Sequence, residues 1–322
     1  MLAVAAILPT HAATNMPAAS TNAPISGAKG TNDPVEVEFR ALMENDDQAQ
    51  EEVDKWIREN QEFTAKEAGK PAAELNERIL ERFKPVRKGY EDFIKRNPDH
   101  VRGRVAYGSF LGDIDDEEGA RVQLEKALEL NSKDPVVYNN LAGIYGHIGP
   151  DVKKSFEYYA KAIELSPNQP LYYRNFATTV FLFRLDAQEF FKIDEQQVFD
   201  KALDLYGKAM KFDPTNFDLA SDVAQTYYGI TPLRLDAALK SWTNAFGLAR
   251  DDMEREGVQL HFARLKLNAG RFDEAQAHLG SVTNAMFGDL KKRLTKNLNE
   301  QEQEAKKESP ASSNGKDQPE KK

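Results

Sequence analysis

Hydrophobic residues in the middle of the chain recur every three or four positions, which is the period of an amphipathic α-helix. Val53, Trp56 and Ile57 show this pattern near its start, and no alternation typical of β-strands interrupts it further along. Pro85 falls inside a long helical stretch, residues 72 to 96. Proline removes a backbone donor and clashes with the preceding turn. We therefore predict an all-helical chain in which separate helices lie on either side of Pro85.

Pairs of small residues seven positions apart recur along the chain. A large residue stands three positions before the second member of each pair, and another small residue lies in the helical stretch upstream. Small side chains let two antiparallel helices approach closely, while a large one fills the gap beside them. The recurring unit is therefore helix, turn, helix, turn. The pairs are Ala120 and Ala127, Ser155 and Ala162, Ala202 and Ala209, Ala238 and Ala245, and, more weakly, Ala275 and Val282.

Residues 67 to 289 resemble the tetratricopeptide repeat (TPR) family, whose units of about 34 residues share this pattern of small and large positions. The unit over residues 135 to 169 matches best, with Tyr138 and Pro167 at family positions. The resemblance implies an all-α, right-handed superhelical solenoid of about five or six antiparallel helix pairs. An insertion near residues 184 to 197 departs from the family pattern, and we expect a longer helix pair or a projecting loop there.

The two ends of the chain differ in composition from the repeat region. Residues 1 to 12 join an apolar start to small residues, which predicts a secretory signal peptide and an exported protein, periplasmic or extracellular. The basic residues usual at the start of such signals are missing, so the alternative is a leader without an address on a cytoplasmic protein. We further predict a disordered linker over residues 13 to 33, N-terminal capping helices over 34 to 66, and a charged disordered tail over 290 to 322.

The TPR resemblance also implies a concave groove that binds a protein or peptide partner. In the family, the first helix of each unit lines this groove through its second, fifth, sixth, ninth and twelfth positions. Val105 and Ser109 stand where some members clamp a chaperone tail with lysine and asparagine, so that partner is disfavoured. The groove residues carried over are Asn139, Asn140, Arg174, Asn175, Thr178, Phe181, Ser221, Gln225, Tyr228, His261 and Arg264.

Composition and residue spacing argue against a catalytic or metal site and against nucleic acid as the ligand. The chain has no cysteine, and none of its five histidines lie three or four positions apart, so neither a thiolate nucleophile nor a helical zinc site is predicted. The acidic run from Asp113 to Glu118 lacks the glycine and the bidentate glutamate of a calcium loop. The net charge of -9 disfavours non-specific binding to nucleic acid. No apolar run reaches the roughly 18 residues that span a bilayer.

These observations predict a protein-interaction scaffold without enzyme activity, cofactor or metal. Asparagine amides can bond a peptide backbone, arginines can pair with carboxylates, and aromatic rings offer apolar contact area. Two alternatives stay open. One is an enzyme or accessory domain with a site at the insertion, near Asp186, Glu189 and Lys192. The other is a structural component of the cell envelope that self-associates through an end of the solenoid.

Overall fold

The computed structural model shows an all-α protein. Its helices fall into two compact units, which we call the N-terminal and C-terminal units and which divide between Pro214 and Thr215. The predicted signal peptide, nearly all of the predicted linker and the end of the predicted tail lie outside the described residues. The structure describes residues 33–64, 71–130, 132–147 and 151–308, and every regular element in these ranges is a helix. The predicted all-α fold is therefore confirmed.

The N-terminal unit is built from consecutive antiparallel helix pairs. The pairs are α1 with α2, α3 with α4, α5 with α6, and α7 with α9. The helix bounds are α1 Pro34–Thr64, α2 Ala72–Arg96, α3 Val101–Asp113, α4 Glu117–Glu129, α5 Pro135–His147, α6 Val152–Leu165, α7 Pro170–Leu182, α8 Arg184–Phe191 and α9 Glu195–Phe212.

Small residues set the distance between the paired helices, as the spacing predicts. Gly108 on α3 lies against Leu124 on α4, and a Cβ atom on this glycine would come within 2.7 Å of Leu124 Cγ. Ala120 and Ala127, on the same face of α4, are completely buried. Leu124 fills the space that these three small residues leave, so the alternation of small and large positions creates the close contact.

The prediction of two helices around Pro85 is wrong, because α2 continues through this residue from Ala72 to Arg96. An internal proline costs a helix about 3 kcal/mol through its missing N–H and its clash with the preceding turn. Val86, Tyr90 and Phe93 follow Pro85 and are completely buried in the core of this unit. Each fully buried side chain of this kind contributes about 1.5–3 kcal/mol, so their burial outweighs the local cost.

The insertion in the third repeat forms a short additional helix, α8, where we expected a longer pair or a projecting loop. This helix packs against α6, α7 and α9, and α7 and α9 still form the helix pair of the repeat. Its Phe190 and Phe191 rings lie 5.3 and 5.5 Å from the ring of Phe156 on α6. Ala187 is completely buried beside them. The inserted residues thus extend the hydrophobic core.

The C-terminal unit repeats the same arrangement. Helices α10 and α11 form one pair, α12 and α13 the next, and α14 packs against both α12 and α13. Short 3-10 helices follow α10 at Tyr227–Gly229 and precede α14 at Ala285–Phe287. The helix bounds are α10 Phe217–Thr226, α11 Leu235–Leu248, α12 Asp252–Asn268, α13 Phe272–Gly280 and α14 Gly288–Glu308.

The two regions predicted to flank the solenoid are both helical where the structure describes them. The described part of the N-terminal region is one long helix, α1, which pairs with α2. The prediction of a disordered tail from residue 290 is wrong up to residue 308, because α14 is a regular helix there. Leu290, Leu294 and Leu298 share one face of α14 and pack with the core of α12 and α13. These leucines give a strongly charged segment the apolar face that a docked helix needs.

Candidate partner-binding surfaces

A chain of side-chain hydrogen bonds joins the first helices of three consecutive repeats. On α5, Asn140 donates from Nδ2 to Ser109 Oγ on α3 at 3.0 Å. Asn139 donates from Nδ2 to Asn140 Oδ1, and its own Oδ1 accepts from Nδ2 of Asn175 on α7, both at 3.0 Å. We call these four residues the asparagine ladder. It places polar groups in one continuous row across α3, α5 and α7.

The middle of the asparagine ladder is buried, whereas its two ends are half-buried. Asn139 and Asn140 are only 3% and 5% exposed. Their hydrogen bonds offset the cost of burying amide groups. Asn175 is half-buried, and within the described part of the chain its Oδ1 atom accepts no hydrogen bond. The ladder therefore ends in an acceptor that a partner can use, while its middle holds that acceptor in place.

The other predicted groove residues of this unit lie on α7 beside Asn175. Thr178 Oγ1 lies 2.8 Å from Tyr206 Oη on α9, and the ring of Phe181 lies 6.0 Å from that of Phe199 on α9. Both side chains thus contact the second helix of their own repeat and are only partly available to a partner. Arg174 is half-buried and already has an intramolecular partner. Contact of these residues with another protein stays a prediction.

Sequence reasoning did not select Ser109, although it forms one end of the asparagine ladder. The signal was present, because Ser109 occupies the ninth position of its repeat, one of the positions that face the groove in the family. Its hydroxyl group accepts the hydrogen bond from Asn140 and is half-buried. The sequence does not show that Ser109 bonds to α5, because that hydrogen bond depends on how α3 and α5 are placed against each other.

Four side chains of the C-terminal unit form a second cluster, which we call the aromatic stack. The Trp242 ring on α11 lies flat on the His261 ring on α12, with centroids 3.8 Å apart and an interplanar angle of 11°. Tyr228 Oη lies 3.1 Å from His261 Nδ1. The Arg264 guanidinium lies over the Tyr228 ring, 4.5 Å from its centroid. The stack therefore runs from a buried indole to a cation.

Burial keeps His261 neutral. It is 8% exposed, and desolvation, helped by the nearby charge of Arg264, lowers the pKa of its imidazole to about 3. Burial also raises the pKa of the Tyr228 hydroxyl, which stays protonated. The aromatic stack thus carries a single positive charge at neutral pH, and that charge is on Arg264.

The remaining predicted residues of the C-terminal unit lie on α10. Ser221 and Gln225 are spaced by four positions, which places them along one side of this helix, and Tyr228 follows in the 3-10 helix. Gln225 is exposed, whereas Ser221 is 9% exposed. The Ser221 hydroxyl makes no hydrogen bond to any described residue. This side of α10 therefore offers an exposed amide and a buried hydroxyl.

The residues of the alternative enzyme hypothesis are Asp186 and Glu189, which lie in α8, and Lys192, which follows it. Glu189 pairs with Lys153 at 2.5 Å, and Lys192 ends the helix in the left-handed region at φ 57°. Within the described ranges, no three histidine, aspartate or glutamate side chains are grouped so that they could hold a metal ion. Asp116, in the acidic run considered as a calcium loop, caps α4 by accepting a 3.0 Å hydrogen bond from the Gly119 amide. The expected lack of enzyme activity stays a prediction.

None of the described helices is both long enough and apolar enough to cross a lipid bilayer.

Comparisons with known proteins identify the fold through solved structures. Neither the protein-family models nor the curated proteins gave a match. A monomeric mutant of IFIT1 with m7Gppp-AAAA matches at a TM-score of 0.50 and 19% identity, over 69% of this chain and 51% of that one. PilF of Pseudomonas aeruginosa matches at a TM-score of 0.49 and 14% identity, over 80% and 99% of the two chains. YrrB, described as a TPR protein with an unusual peptide-binding site, matches at a TM-score of 0.42 and 16% identity, over 69% and 96%.

The repeated helix pairs, their small and large contact positions and this likeness together define the class. The protein has the all-α TPR fold. The identity of 19% limits the comparison with IFIT1 to the fold.

Proposed function

We propose that this protein is an interaction scaffold and that the α3, α5 and α7 side of its N-terminal unit binds an extended segment of another protein. The observation that carries the proposal is the asparagine ladder. Amide side chains both donate and accept, so they suit a peptide backbone, which presents both kinds of group. A row of them across successive repeats follows the direction in which an extended peptide would run.

The burial of the ladder supports this proposal over a solvated surface. An exposed helix face needs no hydrogen bonds between its own side chains, because water satisfies them. Here Asn139 and Asn140 are buried, and the half-buried Asn175 is held by its hydrogen bond to Asn139. A fixed polar group loses less conformational entropy when a ligand binds. Asn175 and Ser109 are therefore the residues that we expect to touch the partner.

The test is site-specific photo-crosslinking in the protein's own cells. A photoreactive amino acid at position 175 should form a discrete adduct that digestion and mass spectrometry identify. Lys161 is the matched control, since it lies on α6 and pairs with Glu164 in the same helix. The purified partner should then bind the native chain and lose affinity for Asn175→Arg. Adducts at position 161 alone, or equal binding by Asn175→Arg, would refute the assignment.

A further inference from the structure

Arg264, in the C-terminal unit, is a cation without an acidic partner among the described residues. Its guanidinium is half-buried over the ring of Tyr228. No carboxylate of the described residues lies within the 4.0 Å of an ion pair from its nitrogens. The other polar groups of the aromatic stack are uncharged: the imidazole of His261, the hydroxyl of Tyr228 and the buried indole N–H of Trp242. The positive charge is thus partly withdrawn from water and uncompensated.

Two other arginines of the same unit, unlike Arg264, form ion pairs with carboxylates. Arg250 is paired with Asp218 at 3.5 Å and also with Glu254. Arg255 is paired with Asp252 at 3.0 Å on the same helix as Arg264. The unit therefore has carboxylates available for arginine, but none is placed at Arg264. A guanidinium that is held in position and left unpaired is what a binding site for an anion requires.

The aromatic stack holds Arg264 in place. Trp242 packs on His261, His261 lies at hydrogen-bond distance from Tyr228, and Tyr228 supports the guanidinium. Arginine side chains lose much rotamer freedom when they bind a ligand, and stacking on an aromatic face removes part of that loss beforehand. The planar donors of such an arginine match the two oxygens of a carboxylate.

We propose that Arg264 binds a carboxylate group in an acidic segment of a protein partner. This inference rests on the proposed role as an interaction scaffold and deepens it by naming the chemistry of a segment that the C-terminal unit binds. Charge complementarity favours such a partner, since Arg264 is the only charge that the aromatic stack presents. The exposed amide of Gln225 lies one turn before Tyr228 and can bond the backbone of the same segment. RNA would need several phosphate contacts, whereas the aromatic stack offers a single cation.

The test uses the full chain and a fluorescein-labelled hexaglutamate peptide, with hexaglutamine as the uncharged probe. We expect fluorescence anisotropy to show binding of hexaglutamate and much weaker binding of hexaglutamine. Arg264→Gln should raise the Kd for hexaglutamate about tenfold or more, because it removes a charge-assisted pair. Arg255→Gln is the matched control on the same helix and should leave the Kd unchanged. Arg264→Lys should give an intermediate value, since it keeps the charge and loses the planar donors.

Several results would overturn this inference. They are no binding of hexaglutamate, equal binding of the two peptides, and equal Kd values for Arg264→Gln and the native chain. Displacement of the peptide by an RNA oligonucleotide that binds more tightly through Arg264 would assign the site to nucleic acid instead. If inorganic phosphate displaced hexaglutamate as effectively as acetate does, Arg264 would be a general anion site with no preference for a carboxylate.

The failure of this inference can be told apart from that of the proposed function. An adduct at position 175 with no hexaglutamate binding refutes the site at Arg264 alone. Binding at Arg264 with no adduct at position 175 refutes the asparagine ladder as the contact surface.

Discussion

The hydroxyl of Tyr90 on α2 donates a 2.6 Å hydrogen bond to Oδ2 of Asp46 on α1, inside the N-terminal unit. Asp46 is 8% exposed, and burial raises the pKa of its carboxyl to about 6. The pKa of Asp113, at the end of α3, is also raised, to about 7, because of burial and the charge of Asp46. The first helix pair and the end of α3 therefore each contain a carboxyl group that keeps its proton to a higher pH than usual.

The stability of the N-terminal unit should fall as the pH rises from 4 to about 6. Asp46 binds its proton more tightly in the folded chain than at its ordinary pKa of 3.8, so unfolding releases a proton in this window. Asp46 contributes about 1.4 kcal/mol to this loss for each pH unit of the window, and Asp113, whose pKa is raised to about 7, adds to it. Asp46→Asn should flatten the slope and raise the stability above pH 7, since the amide oxygen can still accept from Tyr90. Hydrogen exchange of α1 and α2, followed by mass spectrometry across this pH range, measures the effect.

The control for this prediction is Asp204→Asn. Asp204 lies on α9, is 62% exposed and pairs with Lys208. Its substitution should leave the exchange of α1 and α2 unchanged at every pH. Equal slopes for Asp46→Asn and the native chain would show that Asp46 does not titrate as its burial requires.

The C-terminal unit should respond to pH in the opposite direction. Its buried His261 has a pKa lowered from 6.5 to about 3, so the unfolded chain binds the extra proton below pH 6.5 and stability falls as the solution becomes more acidic. The loss is about 1.4 kcal/mol for each pH unit below 6.5. His261→Gln should remove this slope in the exchange of α11 and α12. A native chain whose α11 and α12 amides have equal protection factors at pH 4 and pH 7 would contradict the prediction.

Two glycines of α3 should respond oppositely to the same substitution. Gly108→Ala introduces a Cβ atom that would lie 2.7 Å from Leu124, so we expect a loss of about 1–3 kcal/mol from overpacking. Gly112→Ala meets no atom within 4 Å and should stabilise the helix by up to about 1 kcal/mol. Urea unfolding of both variants gives the comparison. A neutral Gly108→Ala would mean that α3 and α4 are further apart than described.

Two members of the asparagine ladder should differ in what they support. Asn139→Ala leaves Asn140 Oδ1 and Asn175 Nδ2 without their partner, so it should cost about 1–3 kcal/mol of stability. Asn175→Ala removes the half-buried end and should cost less, while weakening the binding of a partner more. Chemical unfolding and titration with the crosslinked partner separate the two effects. Equal stability losses in both variants would argue against a buried centre and a half-buried end.

The sequence predicts the helix pairs well because their contacts depend on side-chain volume at fixed spacings. Ala120, Leu124 and Ala127 show this, since their sizes alone indicate a close helix contact. Pro85 shows the limit of local rules, because burial of the residues that follow it decides the outcome. The tail is a similar case: its charge predicts disorder, but leucines spaced by four positions dock it as α14.

The sequence could predict which positions belong to the candidate sites, but not which side chains bond to one another. The family pattern selects Asn139, Asn140 and Asn175, yet it cannot show that they bond to one another. Such bonds depend on the rotation and register of neighbouring helices, which no spacing within one helix determines. The same holds for Tyr228, His261 and Arg264, whose arrangement depends on Trp242 from a third helix.

The asparagine ladder also bears on cooperativity. In a repeat protein each unit touches only its neighbours, so partial unfolding from an end is normally accessible. Hydrogen bonds that cross two repeat borders would leave buried amides unpaired if only one of the three repeats opened. Helices α3, α5 and α7 should therefore lose structure in a single step, and their slowest amides should share one opening free energy.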